Sequence, residues 1–230
     1  MPTETEILEN TAAIVPAYNA GALVSDVLAA LQQVLPAIRV IVVDDGSTDD
    51  TFRKASATGV QVVQHPVNMG KGVALSTGFK RAVSMGMGHV VTLDADGQHN
   101  PAEIPKFARR VAETGADIVV GNRFGALGAM PRLRRSTNWL TSKVVSALAR
   151  QRIPDSQNGY RMIGARVFTS IQLETARYEA ESEILIKAGR RGFRIDSVPV
   201  ETIYGEEVSA IHPVVDTARF FRLVYKALFW

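Results

Sequence analysis

The chain has 230 residues, 46% of them hydrophobic and 21% charged, with mean hydropathy near zero and no cysteine. That balance belongs to a globular protein with a sizeable core, and it excludes a disulfide-stapled scaffold, thiol catalysis and cysteine-ligated zinc. The formal charge of +3 is too small to argue for nucleic acid, the start Met1-Pro2-Thr3-Glu4-Thr5-Glu6 is acidic where a secretory signal is basic, and no apolar run approaches the ~18 residues of a bilayer-spanning helix, so a cytosolic location is expected.

Short β-branched runs alternate with helical patterns, which predicts an α/β fold with a parallel sheet flanked by helices. Strands are expected at residues 12–15, 40–43, 61–64, 89–93 and 117–120. One helix should present Leu75, Phe79, Ala82 and Val83 on a face, and another Ile104, Phe107, Ala108 and Val111. Asn100-Pro101-x-Glu103 reads as a helix start, and Ser47 with Asp50 as a similar cap. Further on, the pattern predicts a loop at 121–131, a helix at 132–150, a polar turn at 155–159, a helix at 181–191, a strand at 193–200, a loop at 202–213 and a helix at 214–230. In that last helix Arg219, Arg222 and Lys226 share a face, with Phe220, Phe221, Val224, Tyr225 and Leu228 on the opposite arc. The pattern suits adsorption to anionic lipid or packing on the protein's own core.

The first two strands run into Val15-Pro16-Ala17-Tyr18-Asn19 and Val42-Val43-Asp44-Asp45-Gly46-Ser47. Strand carboxyl ends form the ligand crevice of an open parallel sheet, so Tyr18 would stack on a base and the paired carboxylates would accept its N–H groups; the plainer alternative is a turn and a helix cap. The fourth strand ends in Asp94-Ala95-Asp96-Gly97-Gln98, hard oxygen donors suited to Mg²⁺ or Mn²⁺ completed by substrate phosphates, against the alternative of a solvated loop. Asn68-Met69-Gly70-Lys71-Gly72 fits neither the P-loop nor the NAD-binding fingerprint, but Lys71 opens a helix where an amine would neutralise a diphosphate. Seven bases, Arg123, Arg132, Arg134, Arg135, Lys143, Arg150 and Arg152, fall in thirty residues without an acid. The remaining 19 Lys and Arg face 23 Asp and Glu, so the rest of the chain is formally −4. Such a run suggests a phosphorylated partner, and with only Phe124 and Trp139 interleaved it is a poor nucleic-acid surface.

These motifs, with Gly121-Asn122-Arg123-Phe124 and Asp155-Ser156-Gln157-Asn158-Gly159-Tyr160-Arg161, occur in the order seen in family-two glycosyltransferases, and over residues 12–215 the chain most resembles the polyprenyl-phosphate branch, the dolichol-phosphate mannose synthase type. The resemblance implies a GT-A fold, a Rossmann-like, mostly parallel central sheet flanked by helices, in one domain. Its nucleotide half would span about 11–97, its acceptor half about 98–213 and a C-terminal amphipathic helix about 214–230. The implied activity is metal-dependent, inverting transfer of a hexose from a nucleotide diphosphate sugar to a polyprenyl or dolichyl phosphate at a membrane surface or beside a small membrane protein, on its cytoplasmic face.

By position, Pro16, Tyr18, Val43, Asp45, Lys71, Asp94 and Ala95 would hold the nucleotide, and Asp94, Asp96 and Gln98 the metal. Arg123, Arg132, Arg135 and Ser136 would hold the acceptor phosphate, with Arg134 an alternative, and Asp96 and Arg123 would serve catalysis. Two departures stand out: Ala20 replaces the Glu of many relatives, and their longer C-termini with transmembrane helices have no counterpart. Two rivals remain. Transfer to a sugar hydroxyl would need a base, with Asp155, Glu181 and Glu183 as candidates. The other is a non-catalytic nucleotide-sugar-binding regulator.

Overall fold

The computed structural model describes residues 1–125, 132–203 and 213–230, with side chains throughout these except at 125, 132–134 and 213–216. Its strands are β1 (Thr11–Ala17), β2 (Val40–Asp44), β3 (Gln61–Gln64), β4 (His89–Thr92), β5 (Ile118–Asn122), β6 (Arg161–Gly164) and β7 (Ile195–Pro199). The helices are α1 (Glu4–Glu9), α2 (Val24–Gln32), α3 (Thr51–Ala57), α4 (Lys71–Ser84), α5 (Ile104–Thr114), α6 (Arg132–Ala149), α7 (Ala165–Ser170), α8 (Glu179–Arg190) and α9 (Pro213–Ala227).

The strands form one sheet in the order β3-β2-β1-β4-β6-β5-β7. The pairs β1–β2, β1–β4, β2–β3 and β5–β7 are parallel, whereas β6 runs antiparallel to both β4 and β5. Alternating side chains feed two cores. Ala13, Val15, Val42, Val91 and Val119 pack with Leu28 and Leu31 of α2 and Phe107 of α5. Ala12, Ile14, Ile41, Val43 and Val90 pack on the other face with Leu75 and Phe79 of α4 and Leu185 of α8. Both faces are therefore covered, which explains why β1 and β2 read as unbroken apolar runs.

Four elements go beyond the sequence reading. Helix α1 starts at a capping box in which the Thr3 hydroxyl and the Glu6 carboxylate exchange hydrogen bonds with each other's backbone N–H. Helix α2 buries Val24, Val27, Leu28 and Leu31, a legible 3.6-residue period. Strand β6 and helix α7 fall where the sequence reading assigned no element. Other bounds shift. Gly121 and Asn122 belong to β5, and Arg123–Gly125 form a 3₁₀ turn where a loop was expected. Helix α6 stops at Ala149 because Arg150 is left-handed, at φ 55°. Strand β7 is shorter than expected at both ends. Most of the expected loop at 202–213 lies outside the described residues.

Three expectations are corrected. Val83 is 48% exposed, while Leu75, Phe79 and Ala82 are buried. Asp50 is the N-cap residue of α3 but makes no side-chain cap bond; Asp49 Oδ1 accepts the Thr51 N–H and hydroxyl, and Ser47 accepts the N–H of Asn19. At α9 the apolar arc divides: Leu223 and Ala227 are buried against the α8 side of the core with Phe220 beside them, whereas Phe221, Tyr225 and Leu228 are exposed. The Asn100 cap is present, its side chain accepting the Ala102 N–H ahead of Pro101–Glu103 and α5.

Gly78, inside α4, lies against Ile14 of β1, and an added Cβ would overlap the rigid Cγ2 methyl of that side chain. Gly78→Ala gains ~1 kcal/mol of helix propensity but overpacks this contact by about 1–3 kcal/mol, so its urea midpoint should fall. His89 has a buried Nδ1 without a hydrogen-bond partner, and burial holds its pKa below 6.5. The unfolded imidazole therefore takes up a proton that the native one refuses, and stability should decline as pH falls from about 7.5 to about 5.5. In His89→Leu, urea titrations across that window should show a shallower decline.

Candidate active site

The carboxyl ends of β1, β2 and β4 open on the same edge of the sheet, as their parallel register requires. Tyr18 follows β1 and is 49% exposed, and Pro16 is partly buried beside Val43, its register partner. The Val43 side chain is wholly in the core, and Ala95 is buried with the opposite core.

The paired carboxylates of β2 are engaged by the protein itself. Asp44 accepts from the Ser47 N–H and the Gln64 amide. Asp45 accepts the N–H groups of Met69 and Gly70 at 3.0 and 2.7 Å and stands 2.7 Å from His65 Nδ1. Three donors nearly fill a carboxylate's capacity, so the geometry assigns Asp45 to holding the turn that leads into α4.

That turn delivers Lys71. Gly70, at φ 100°, precedes α4, and the Lys71 amine lies 2.5 Å from Asp94 Oδ1 and 2.8 Å from Glu181 Oε1. Burial works against the Lys71 charge, but the two carboxylates outweigh it and raise its pKa above the usual lysine range. Burial likewise works to raise Asp94, and the Lys71 ammonium, with further help from Arg123, carries it below the ordinary carboxylate range. Asp96 shifts the other way, raised by burial and by the charge of Asp94. Its Oδ1 accepts the Gln98 N–H across Gly97, a turn at φ 73°.

His99 sits beneath this pair. Its Nδ1 accepts the Asp94 N–H at 3.1 Å, its ring stacks on Tyr160 and burial lowers its pKa. Nδ1 as an acceptor places the ring proton of the neutral imidazole on Nε2. Among the described residues no three His, Asp or Glu side chains converge as a ready-made metal cage. The Asp94 and Asp96 carboxylates, with the charge of Asp94 pushing Asp96 up, fit a hard divalent cation that takes its remaining oxygens from a phosphorylated ligand.

The 155–161 segment closes the site. Arg161, wholly buried, donates to the carbonyls of Ser156, Asn158 and Glu181. This places Gly159 over the ion pairs: a Cβ there would lie 2.6 Å from Glu181 Oε1, 3.1 Å from Asp94 Oδ2 and 3.2 Å from Lys71 Nζ. Arg123 forks onto buried Asp155 at 2.7 and 2.9 Å. Glu183 lies elsewhere, accepting from the backbone of Glu174 and Thr175 and pairing with Lys187. Arg135 and Ser136 are exposed on the first turns of α6, and the side chains of Arg132 and Arg134 lie outside the described residues.

The structure thus brings together Lys71, Asp94, Asp96, Gln98 and Arg123 from the sequence reading and adds His99, Gly159 and Arg161, with Glu181 as a partner of Lys71. Glycine and arginine in Asn158-Gly159-Tyr160-Arg161 were the available signal for two of these.

Residues 12–172 match the model for glycosyl transferase family 2. The UDP-N-acetylglucosamine–dolichyl-phosphate N-acetylglucosaminyltransferase of Methanococcus voltae is 33% identical over 215 residues, covering 84% of this chain and 85% of the relative. The undecaprenyl-phosphate mannosyltransferase of Micrococcus luteus is 30% identical over 204 residues, covering 84% and 83%. Among solved structures, glucosyl-3-phosphoglycerate synthase from Mycobacterium tuberculosis, in complex with Mn²⁺, uridine diphosphate and glucosyl-3-phosphoglycerate, superposes with TM-score 0.72 at 22% identity over 99% of this chain and 83% of that one. The architecture is accordingly GT-A-like, and the catalytic class is glycosyl transfer. In Gly159→Ala the end of Glu181 must swing aside and loosen its pair with Lys71, so sugar transfer should fall by about tenfold or more and the melting temperature should drop with it. By the family model and by relatives at this identity, the chain belongs to glycosyl transferase family 2.

Proposed function

We propose that the protein transfers a hexose, with inversion, from a nucleotide diphosphate sugar to a polyprenyl phosphate. The observation that carries this reading is the state of the carboxylates that would act as a base. Asp155 is forked by Arg123, Glu181 is paired with Lys71, and Glu183 is filled by backbone donors and Lys187. A hydroxyl acceptor would need one of them released, whereas a phosphate is ionised near neutral pH and attacks unaided. The Methanococcus voltae and Micrococcus luteus relatives are named for lipid-phosphate acceptors, which supports the same reading.

In this reading Tyr18 and Pro16 flank the base, and Lys71, keeping its pairs with Asp94 and Glu181, turns its remaining N–H to the donor diphosphate. Asp94, Asp96 and Gln98 hold Mg²⁺ or Mn²⁺, which supplies Lewis-acid stabilisation of the leaving diphosphate. Arg123, Arg132, Arg135 and Ser136 orient the acceptor phosphate so that its oxygen forms the new bond to the anomeric carbon as the bond to the diphosphate breaks, the electron pair leaving with the diphosphate. No helix among the described residues is long and apolar enough to cross a membrane. Approach to the acceptor on the cytoplasmic face would then fall to the basic segment and the outward side of α9, where Phe221, Tyr225, Leu228 and Phe229 are exposed.

A second reading, transfer to a hydroxyl of a small phosphorylated acid, is favoured by the likeness to a synthase solved with phosphoglyceric acid and by Glu181 standing at the site. A panel of GDP-mannose, UDP-glucose and UDP-N-acetylglucosamine with Mg²⁺ or Mn²⁺ separates the two when offered a short polyprenyl phosphate or 3-phosphoglycerate. Lipid-linked sugar is expected, with a rate that shows no base-dependent limb as pH falls. Product only with phosphoglycerate, and a limb that vanishes in Glu181→Gln, would establish the second reading; free sugar alone would sink both. Asp96→Ala should abolish transfer, and full activity with metal present would remove Asp96 from the metal site.

A further inference from the structure

Glu183 offers nothing to the candidate site, yet it is wholly buried and fully engaged. Its carboxylate accepts the N–H groups of Glu174 and Thr175 at 2.8 and 2.9 Å and the Thr175 hydroxyl at 2.6 Å. Lys187, one turn along α8, pairs with it at 2.5 Å. The same ammonium donates to the Gln172 carbonyl and the Glu174 carboxylate and lies 4.4 Å from the centroid of the Trp230 ring. Residues 172–175 are therefore fixed to α8 by one connected network.

The chain held this way rests on the first turn of α4. The Gly72 N–H donates to the Ala176 carbonyl at 2.7 Å. A Cβ on Gly70 would overlap that carbonyl oxygen, and one on Gly72 would lie 2.5 Å from the Thr175 carbonyl oxygen. These two glycines flank Lys71. Its backbone is thus seated by the segment that Glu183 holds, while its amine is gripped by Glu181, and both acids project from the first turns of α8.

We propose that Glu183 is a positioning residue for Lys71: by holding residues 174–176 against Gly70 and Gly72, it sets where the Lys71 amine meets Asp94 and the donor diphosphate. The proposal rests on the assignment of Lys71 to the diphosphate.

A double-mutant cycle on the full chain tests it, with UDP and GDP in the presence of Mn²⁺ as calorimetric probes, applied to wild type, Lys71→Met, Glu183→Gln and the double variant. Glu183→Gln should weaken nucleotide binding about tenfold when Lys71 is present and less than about twofold in the Lys71→Met background, the signature of residues acting through one network. Equal losses in both backgrounds would overturn the proposal and leave Glu183 a purely structural group. Unchanged affinity in Lys71→Met alone would overturn the diphosphate role of Lys71 and the proposal with it. Failure of the wild-type chain to bind either nucleotide would overturn the donor reading itself, and the proposal with it. Should Glu183→Gln fail to fold, Thr175→Val, which deletes one donor and no charge, replaces it. About threefold weaker binding confined to the Lys71 background is then expected, and an equal loss in both backgrounds overturns the proposal.

Discussion

The Lys71 ammonium joins three elements, α4 through its own backbone, the end of β4 through Asp94 and α8 through Glu181. Charges withdrawn from water are tolerated only when paired, so the position of α8 is tied to the charge state of a strand end far from it in sequence. One ammonium against two carboxylates, with Asp96 close by, leaves this corner negative, which favours a cation. Arg123 adds no net charge because Asp155 matches it. Arg135, exposed on α6, belongs to the basic run, which supplies the opposite sign. The charge division read along the chain therefore becomes an acidic corner, suited to a metal and its diphosphate, and a basic helix suited to a second anion.

Arg161 does the supporting work at this corner without a carboxylate partner. Its guanidinium serves three carbonyls, and burial moves its pKa below the usual arginine value. A planar fork with five donors can meet carbonyls in several directions at once, which a lysine ammonium on a flexible stem does less well. The result is a loop held closely enough for Gly159 to lie against three charged groups, and a larger residue there would press first on the end of Glu181.

Much of the scaffold was legible. Alternation of β-branched runs with helical patterns located β1 to β5, and it put Asp94 and Asp96 just past the end of β4, where the structure has them. Other features could not be read because their determinants are distant. The Gln64, Met69 and Gly70 donors that Asp44 and Asp45 accept from lie twenty or more residues away and could not be read from the sequence. Glu181 and Glu183 were equivalent candidates in sequence, and only the orientation of α8 sends one to the site and the other beneath it. Strand β6 escaped notice because it has four residues, opens on an arginine and ends on a glycine. The apolar arc of α9 was visible, but which part of it packs is decided by Leu223 and Ala227 meeting the α8 side of the core.

The reversed strand β6 has a consequence for how the molecule is assembled. It inserts between β4 and β5, so the Thr92 hydroxyl is met by the Gly159 carbonyl from 67 residues further along the chain. Contacts of such separation form late, since closing the intervening loop costs entropy before any contact repays it. During synthesis β1 to β4 can emerge and pair first, with Asp94 and Asp96 at an open sheet edge. Lys71, the counter-charge of Asp94, is present by then, but the cover arrives only with Gly159, the Arg161 that holds its loop, and Glu181. A chain stopped before residue 161 would carry Asp94 and Asp96 without Arg161 and Glu181, and it would expose an unpaired β4 edge to association with other chains.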